Sequence, residues 1–161
     1  MNKDQLFVKM TLSAWETHIT RASELLKSLS DVQLLSEIAP QKNTGIYLVG
    51  HLIAIHDAMN DILGLGKRSY IELDEAFVQN PDNSGFDMPN VSVLREYWND
   101  VHQKLGDALK QLSPEEWFKR HTHMTDEDFA KEPHRNKVNV LINRTNHLAY
   151  HLGQLRLLKP N

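Results

Sequence analysis

The stretch Asn136–Leu158, NKVNVLINRTNHLAYHLGQLRLL, decides the fold. Val140, Leu141, Arg144, His147, Leu148, His151 and Leu155 recur at three- and four-residue steps, which puts them on one side of an α-helix. The helix starts at about Asn136, and Pro160 closes it. A helix that turns two histidines and an arginine inward among leucines needs neighbours that can accept them, so matching stripes elsewhere become the next thing to find.

Three other segments carry one. Val8, Leu12, Trp15, Ile19, Ala22, Leu26 and Leu29 form the first, which Asp31 and the segment ending at Pro40 break. The second runs from about Thr44 to Leu63, with Tyr47, His51, Ala54, Ile55, Ala58 and Ile62 inward and Leu48, Leu52 and Met59 widening the face. Gly64 and Gly66 follow it as stop signals. The third starts after Asn90 and carries Leu94, Tyr97, Trp98, Val101, Leu105, Ala108 and Leu112. Ser113-Pro114-Glu115-Glu116 then reads as a capping box opening a short helix. The links Lys67–Pro89 and His121–Arg135 are long, the second with one turn at Thr125–Asp128; long links in compact domains are often binding segments. The first of them could cross the bundle. No strand pattern or repeat competes. The expectation is a single all-α domain over residues 1–161, a four-helix bundle with a long connection between its second and third helices and short extra turns before the last.

Composition narrows the partners. With no cysteine, zinc fingers, disulfides and thiol nucleophiles are excluded together, so any thiol in the chemistry must come from a small molecule. The net charge is −3 and the 18 Lys and Arg are scattered, which argues against nucleic acid. No apolar run approaches the roughly 20 residues that span a bilayer, and MNKDQLFVKM is too charged for a secretory leader. A cytoplasmic protein acting on small molecules is expected.

His147 and His151 lie four apart, so their imidazoles project within about 40° of each other, one turn apart. That spacing suits two nitrogens on one ion, and equally two hydrogen-bonded core histidines. His51, on the inward stripe of another helix, favours the ion: packed axes about 8–10 Å apart let three inward imidazoles converge. Neutral imidazoles suit one divalent metal, and three ligands leave a position open. Gln154, one turn beyond His151, either orients a ligand or water or caps the bundle's open end. Gly153 allows close helix approach. Arg144 shares the stripe, as a clamp for an anionic substrate or, more plainly, as a snorkelling arginine paired with a loop acid. His56 should point elsewhere, His18 sits at the edge of the first stripe, and His102, His121, His123 and His134 read as surface or loop residues. His18 or a loop histidine would be the source of a fourth contact. The metalloprotease H-E-x-x-H, the phosphate loop, the G-x-S-x-G elbow and the paired E-x-x-H of di-iron bundles are all missing.

The run His147-Leu148-Ala149-Tyr150-His151-Leu152-Gly153-Gln154-Leu155 resembles the H-x-x-x-H-x-G-Q-L ending of DinB/YfiT-like proteins. Gly50-His51-Leu52 is similar to that family's first histidine, and Trp15 suits its first helix. The resemblance implies a four-helix bundle, frequently a homodimer, with a three-histidine metal site at His51, His147 and His151. Zinc or nickel is the expected ion. Characterised relatives include S-transferases and an isomerase that use low-molecular-weight thiols, so the implied activity is transfer of such a thiol to a small electrophile. The alternative is a non-catalytic metal-binding or stress-response dimeric bundle.

Overall fold

The computed structural model describes residues 1–159. Helix α1 (Lys3–Ser28) opens on a capping box between Asn2 and Gln5, and the short α2 (Asp31–Leu34) on another between Ser30 and Gln33. Asp31 therefore starts a new turn where the sequence suggested only a break. Thr44 caps α3 (Gly45–Ile62), Asn90 caps α4 (Val91–Gln111), and Ser113 with Glu116 forms the expected capping box of α5 (Pro114–Trp117). Thr125 caps α6 (Asp126–Lys131) and Asn136 caps α7 (Lys137–Leu155), which ends in a 3₁₀ turn at Arg156–Leu158. Pro160 lies outside the described residues. Gly64, with φ at 68°, occupies the left-handed position that ends α3, where a Cβ would be strained.

The chain is all-α, a bundle of four long helices; the only extended pairings among the described residues are two isolated bridges. Contacts fix the helix directions. Late in α1, the carbonyls of Leu26 and Leu29 accept from Arg95, early in α4, and Ser23 accepts from Trp98 Nε1 at 2.9 Å, so α1 and α4 run oppositely. A cation on those last carbonyls also suits the α1 dipole. Ile46 and Val49 meet Val91 and Leu94 near the starts of α3 and α4, and His56 meets His102 further along both, so these two helices run the same way. Leu158, just past α7, lies against Gly45 at the start of α3, while His147 meets His51: α7 opposes α3. The order is up, down, down, up.

Parallel α3 and α4 require the chain to travel back the length of α3 between them. It does so as a strap fastened at successive heights. Buried Asp57 accepts from the Ser69 and Tyr70 amides at 2.9 and 3.0 Å and from Arg68 Nε at 3.3 Å, while Arg68 also forks onto Asp74 at 2.6 Å. A π-helical turn at Glu75–Gln79 buries Phe77 against Gly50. Tyr47 Oη then donates to the Asn80 carbonyl at 2.8 Å, and Asp82 accepts from the Thr44 amide and hydroxyl at 2.6 and 2.8 Å. The link runs back along α3 and also touches α4, where Tyr70 Oη donates to Asp100 at 2.9 Å and its ring stacks on Tyr97.

The strap changes the expected face of α3. Ile55, Ala58 and Ile62 are only half-buried, whereas Leu52, Ile53, Ala54, His56 and Asp57 are fully enclosed. A helix covered on three sides by α4, α7 and the strap has no single inward stripe, so its periodicity misstates which residues are deepest. The last turns of α3 are further held by Thr122, whose amide and hydroxyl donate to the carbonyls of Ile62 and Asp61 at 2.9 and 2.8 Å.

Candidate metal centre

Two antiparallel helices bring His51 of α3 opposite His147 and His151 of α7. His147 Nε2 lies 3.2 Å from His51 Nε2 and 3.1 Å from His151 Nε2. One nitrogen of each ring falls within 4.8 Å of the others, and no fourth imidazole or carboxylate joins the group among the described residues. The rings meet edge to face, with centroids 5.1, 5.2 and 4.5 Å apart, so their edges and not their faces converge.

The outer nitrogens settle the tautomers. His51 Nδ1 sits 2.8 Å from the Phe77 carbonyl, which can only accept, so that nitrogen carries the hydrogen and Nε2 presents a lone pair. His151 Nδ1 donates likewise to Gln154 Oε1 at 2.7 Å. Two lone pairs thus aim at His147 Nε2, which can supply at most one hydrogen. A divalent cation satisfies all three nitrogens at once. Tetrahedral bonds of about 2.05 Å would set ligating nitrogens about 3.3 Å apart, close to the 3.2 and 3.1 Å from His147 to its two neighbours. His147 Nδ1 is enclosed without a partner, the position its hydrogen takes when Nε2 is a ligand.

Electrostatics favour the same state. Burial lowers the pKa of all three imidazoles. His147 is pushed down to about 4 by burial first, then by His151, His51 and Arg144. For His151 the bond to Gln154 works against that shift, and for His51 the Phe77 carbonyl does. The rings are neutral at physiological pH, as metal donors must be.

Gln154 therefore acts on His151 as an acceptor that fixes its tautomer, a more specific role than either orienting a ligand or capping. Its amide nitrogen donates to Tyr150 Oη at 3.3 Å. Gly153 is exposed, and a Cβ there would meet nothing within 4 Å, so close helix approach is not its purpose. Arg144 is half-buried beside the centre, but none of the acids among the described residues pairs with it, contrary to the plainer expectation. His18 hydrogen-bonds the Ala14 carbonyl at 2.9 Å within α1 and takes no part in the cluster. His123 and His134 are exposed on loops, as expected, and His121 is half-buried.

His102 is the clear correction. It is half-buried and packed on Trp98 with ring centroids 3.9 Å apart, because its position on α4 faces the tryptophan-lined seam with α1 and α3. Its Nδ1 donates to the Trp98 carbonyl at 2.7 Å, and its Nε2 accepts from His56 Nδ1 at 2.8 Å. His56 points away from the metal centre as expected, but into the core, with 0% exposure and an unpartnered Nε2. Burial drives both rings down, His102 to about 4 and His56 well below its ordinary value.

Two contributions to the site, the Phe77 carbonyl and the Asp57 fastening, and the His56–His102 pair in the core depend on contacts distant in sequence. Only Gly50 hinted at the first, since a glycine inside an apolar helix often marks close approach by another group. Among the described residues no helix is long and apolar enough to cross a membrane. The family described as the DinB superfamily matches residues 14–155 of the chain. No curated protein matches it.

Proposed function

The chain belongs to the DinB superfamily, and from that membership and the three converging imidazoles we propose a divalent-metal-dependent enzyme that transfers a low-molecular-weight thiol to small electrophiles. One zinc or nickel ion would be held by His51, His147 and His151. The observation that carries the reading is the meeting of three Nε2 atoms whose outer nitrogens, on His51 and His151, are already committed as donors. An ion there would supply Lewis acidity, favouring the nucleophilic thiolate of a bound thiol near neutral pH. The chain's own part is to hold the donor nitrogens neutral and aimed: Phe77 and Gln154 by accepting, burial by opposing protonation. Having no cysteine, the protein offers no thiol of its own, which is why a small cosubstrate enters the proposal.

The reading extends to a homodimer, supported by Leu6, Phe7 and Met10, which expose apolar surface along α1. It places the protein in the cytoplasm, where small thiols are kept reduced, with small molecules as partners in place of nucleic acid or membrane. Light scattering tests the dimer.

Metal analysis of protein purified without an affinity tag tests the centre. About one ion per chain is expected, lost in His147→Ala; a content near zero in both refutes it. Thiol-dependent consumption of a generic electrophile, abolished in His51→Ala, tests the activity. Full metal loading with no thiol-dependent turnover would instead favour the non-catalytic metal-binding or stress-response bundle.

A further inference from the structure

Arg144 sits one turn before His147 on α7, about 4.5 Å from it along the axis and within about 20° of the His151 direction. Its Nε is enclosed without a hydrogen-bond partner, and no acid among the described residues pairs with the guanidinium. The other half-buried arginines are satisfied. Arg68 is forked by Asp74 and touches Asp57, Arg95 caps the end of α1, and Arg120 meets Asp126 and the Met124 carbonyl. Arg144 alone among these has no carboxylate paired with it among the described residues. Its position on α7, one turn from His147 and in the direction of His151, puts it beside the centre. The imidazoles there offer it no counter-charge.

We infer that Arg144 is the specificity-determining anchor of the centre, taking the carboxylate of a small ligand whose other end reaches the three histidines. A planar fork of donors matches a carboxylate. The single charge of Arg144 matches a monoanionic carboxylate, and an ion on the histidines would be left for the ligand's other end. The short rise from Arg144 to His147 places the carboxylate a few bonds from the reacting atom. This rests on the proposed thiol chemistry for the ligand's identity, and on the geometry alone for the anion.

Calorimetric titration of the zinc-loaded protein with propionate, 3-mercaptopropionate and 2-mercaptoethanol separates the two. Propionate is expected to bind saturably, and 3-mercaptopropionate roughly tenfold more tightly than 2-mercaptoethanol. In Arg144→Met, propionate binding disappears and the two thiols converge, with 2-mercaptoethanol unaltered as the sign of an intact fold. Arg144→Lys keeps part of the preference, a graded result that a merely packing role would not produce. Propionate that fails to bind, or that binds equally to Arg144→Met, overturns the anchor; inorganic phosphate outbinding propionate overturns the carboxylate assignment. If neither thiol binds while propionate is still lost in Arg144→Met, the thiol reading falls and the anchor stands.

Discussion

Gly50 and Phe77 share a volume that a single methyl group would fill: a Cβ built on Gly50 would fall inside the contact distance of three carbons of the Phe77 ring. The ring is fully buried and cannot swing aside. Because it seats there, the Phe77 carbonyl reaches His51, the next residue after Gly50, and fixes its tautomer. Gly50→Ala is therefore expected to cost about 1–3 kcal/mol of stability by overpacking and to weaken metal affinity roughly tenfold. Urea unfolding and a competitive chelator titration measure the two. Phe77→Leu should recover part of both losses in the double variant, since the two sites are in contact.

Gln154→Leu removes the acceptor on the far side of His151. Metal affinity should fall roughly 10- to 100-fold, while Gln154→Glu, which still accepts, should keep it. An unchanged affinity in the leucine variant would show that packing alone orients the ring.

Metal binding should resist mild acid. Free histidine loses its lone pair to a proton near about pH 6.5, and the sequence alone places the fall in affinity there. Burial lowers all three ligands, His147 to about 4. The affinity should change little between about pH 7 and 6 and drop below that range. A tenfold loss between those two values, by competitive titration, would contradict the shifts.

The His56–His102 pair should make the bundle acid-labile. Both pKa values are lowered on folding, so the unfolded chain takes up protons first. Their contribution is complete above about 6.5, the unfolded value, and is lost as pH falls toward the folded value of about 4 for His102. His102 alone would account for about 3 kcal/mol across that window. Urea unfolding of metal-free protein should show a steep loss of stability there, flattened in the His56→Leu/His102→Leu double variant.

Arg144→Met should raise thermal stability, by about 1 kcal/mol, because it removes a half-buried charge that no acid offsets. Calorimetric melting of the metal-free protein gives the sign. A lower melting temperature would mean that the guanidinium has a partner within the fold.

The four long helices were legible because capping residues and apolar spacing are local. Thr44, Asn90 and Asn136 stand at the starts of three of them, and Ser113 at the start of the short α5. His51, His147 and His151 were legible because a side chain's type announces its chemistry, and their Nε2 atoms do meet. What stayed hidden depends on contacts distant in sequence. The Phe77 carbonyl is a backbone group common to every residue, so nothing in the letter F announces it. Spacing on α4 puts Tyr97 and Trp98 inward, whereas His102, one turn past Trp98, reads as a surface residue. Only the seam with Trp15 and His56 shows that its ring faces the core.

Since α3 and α4 run in the same direction, no short turn can join them, and the returning segment ends up supplying the carbonyl behind His51. The spacer between Arg68 and Phe77 consequently behaves as a ruler. An inserted or deleted residue there would shift the phase of that carbonyl against the imidazole, though the change would be remote from any ligand in sequence. The same change at Asn83–Gly85, past the last fastening at Asp82, would leave the ruler's length untouched. Divergence in this part of the chain is thus a way to retune the centre while its histidines stay constant.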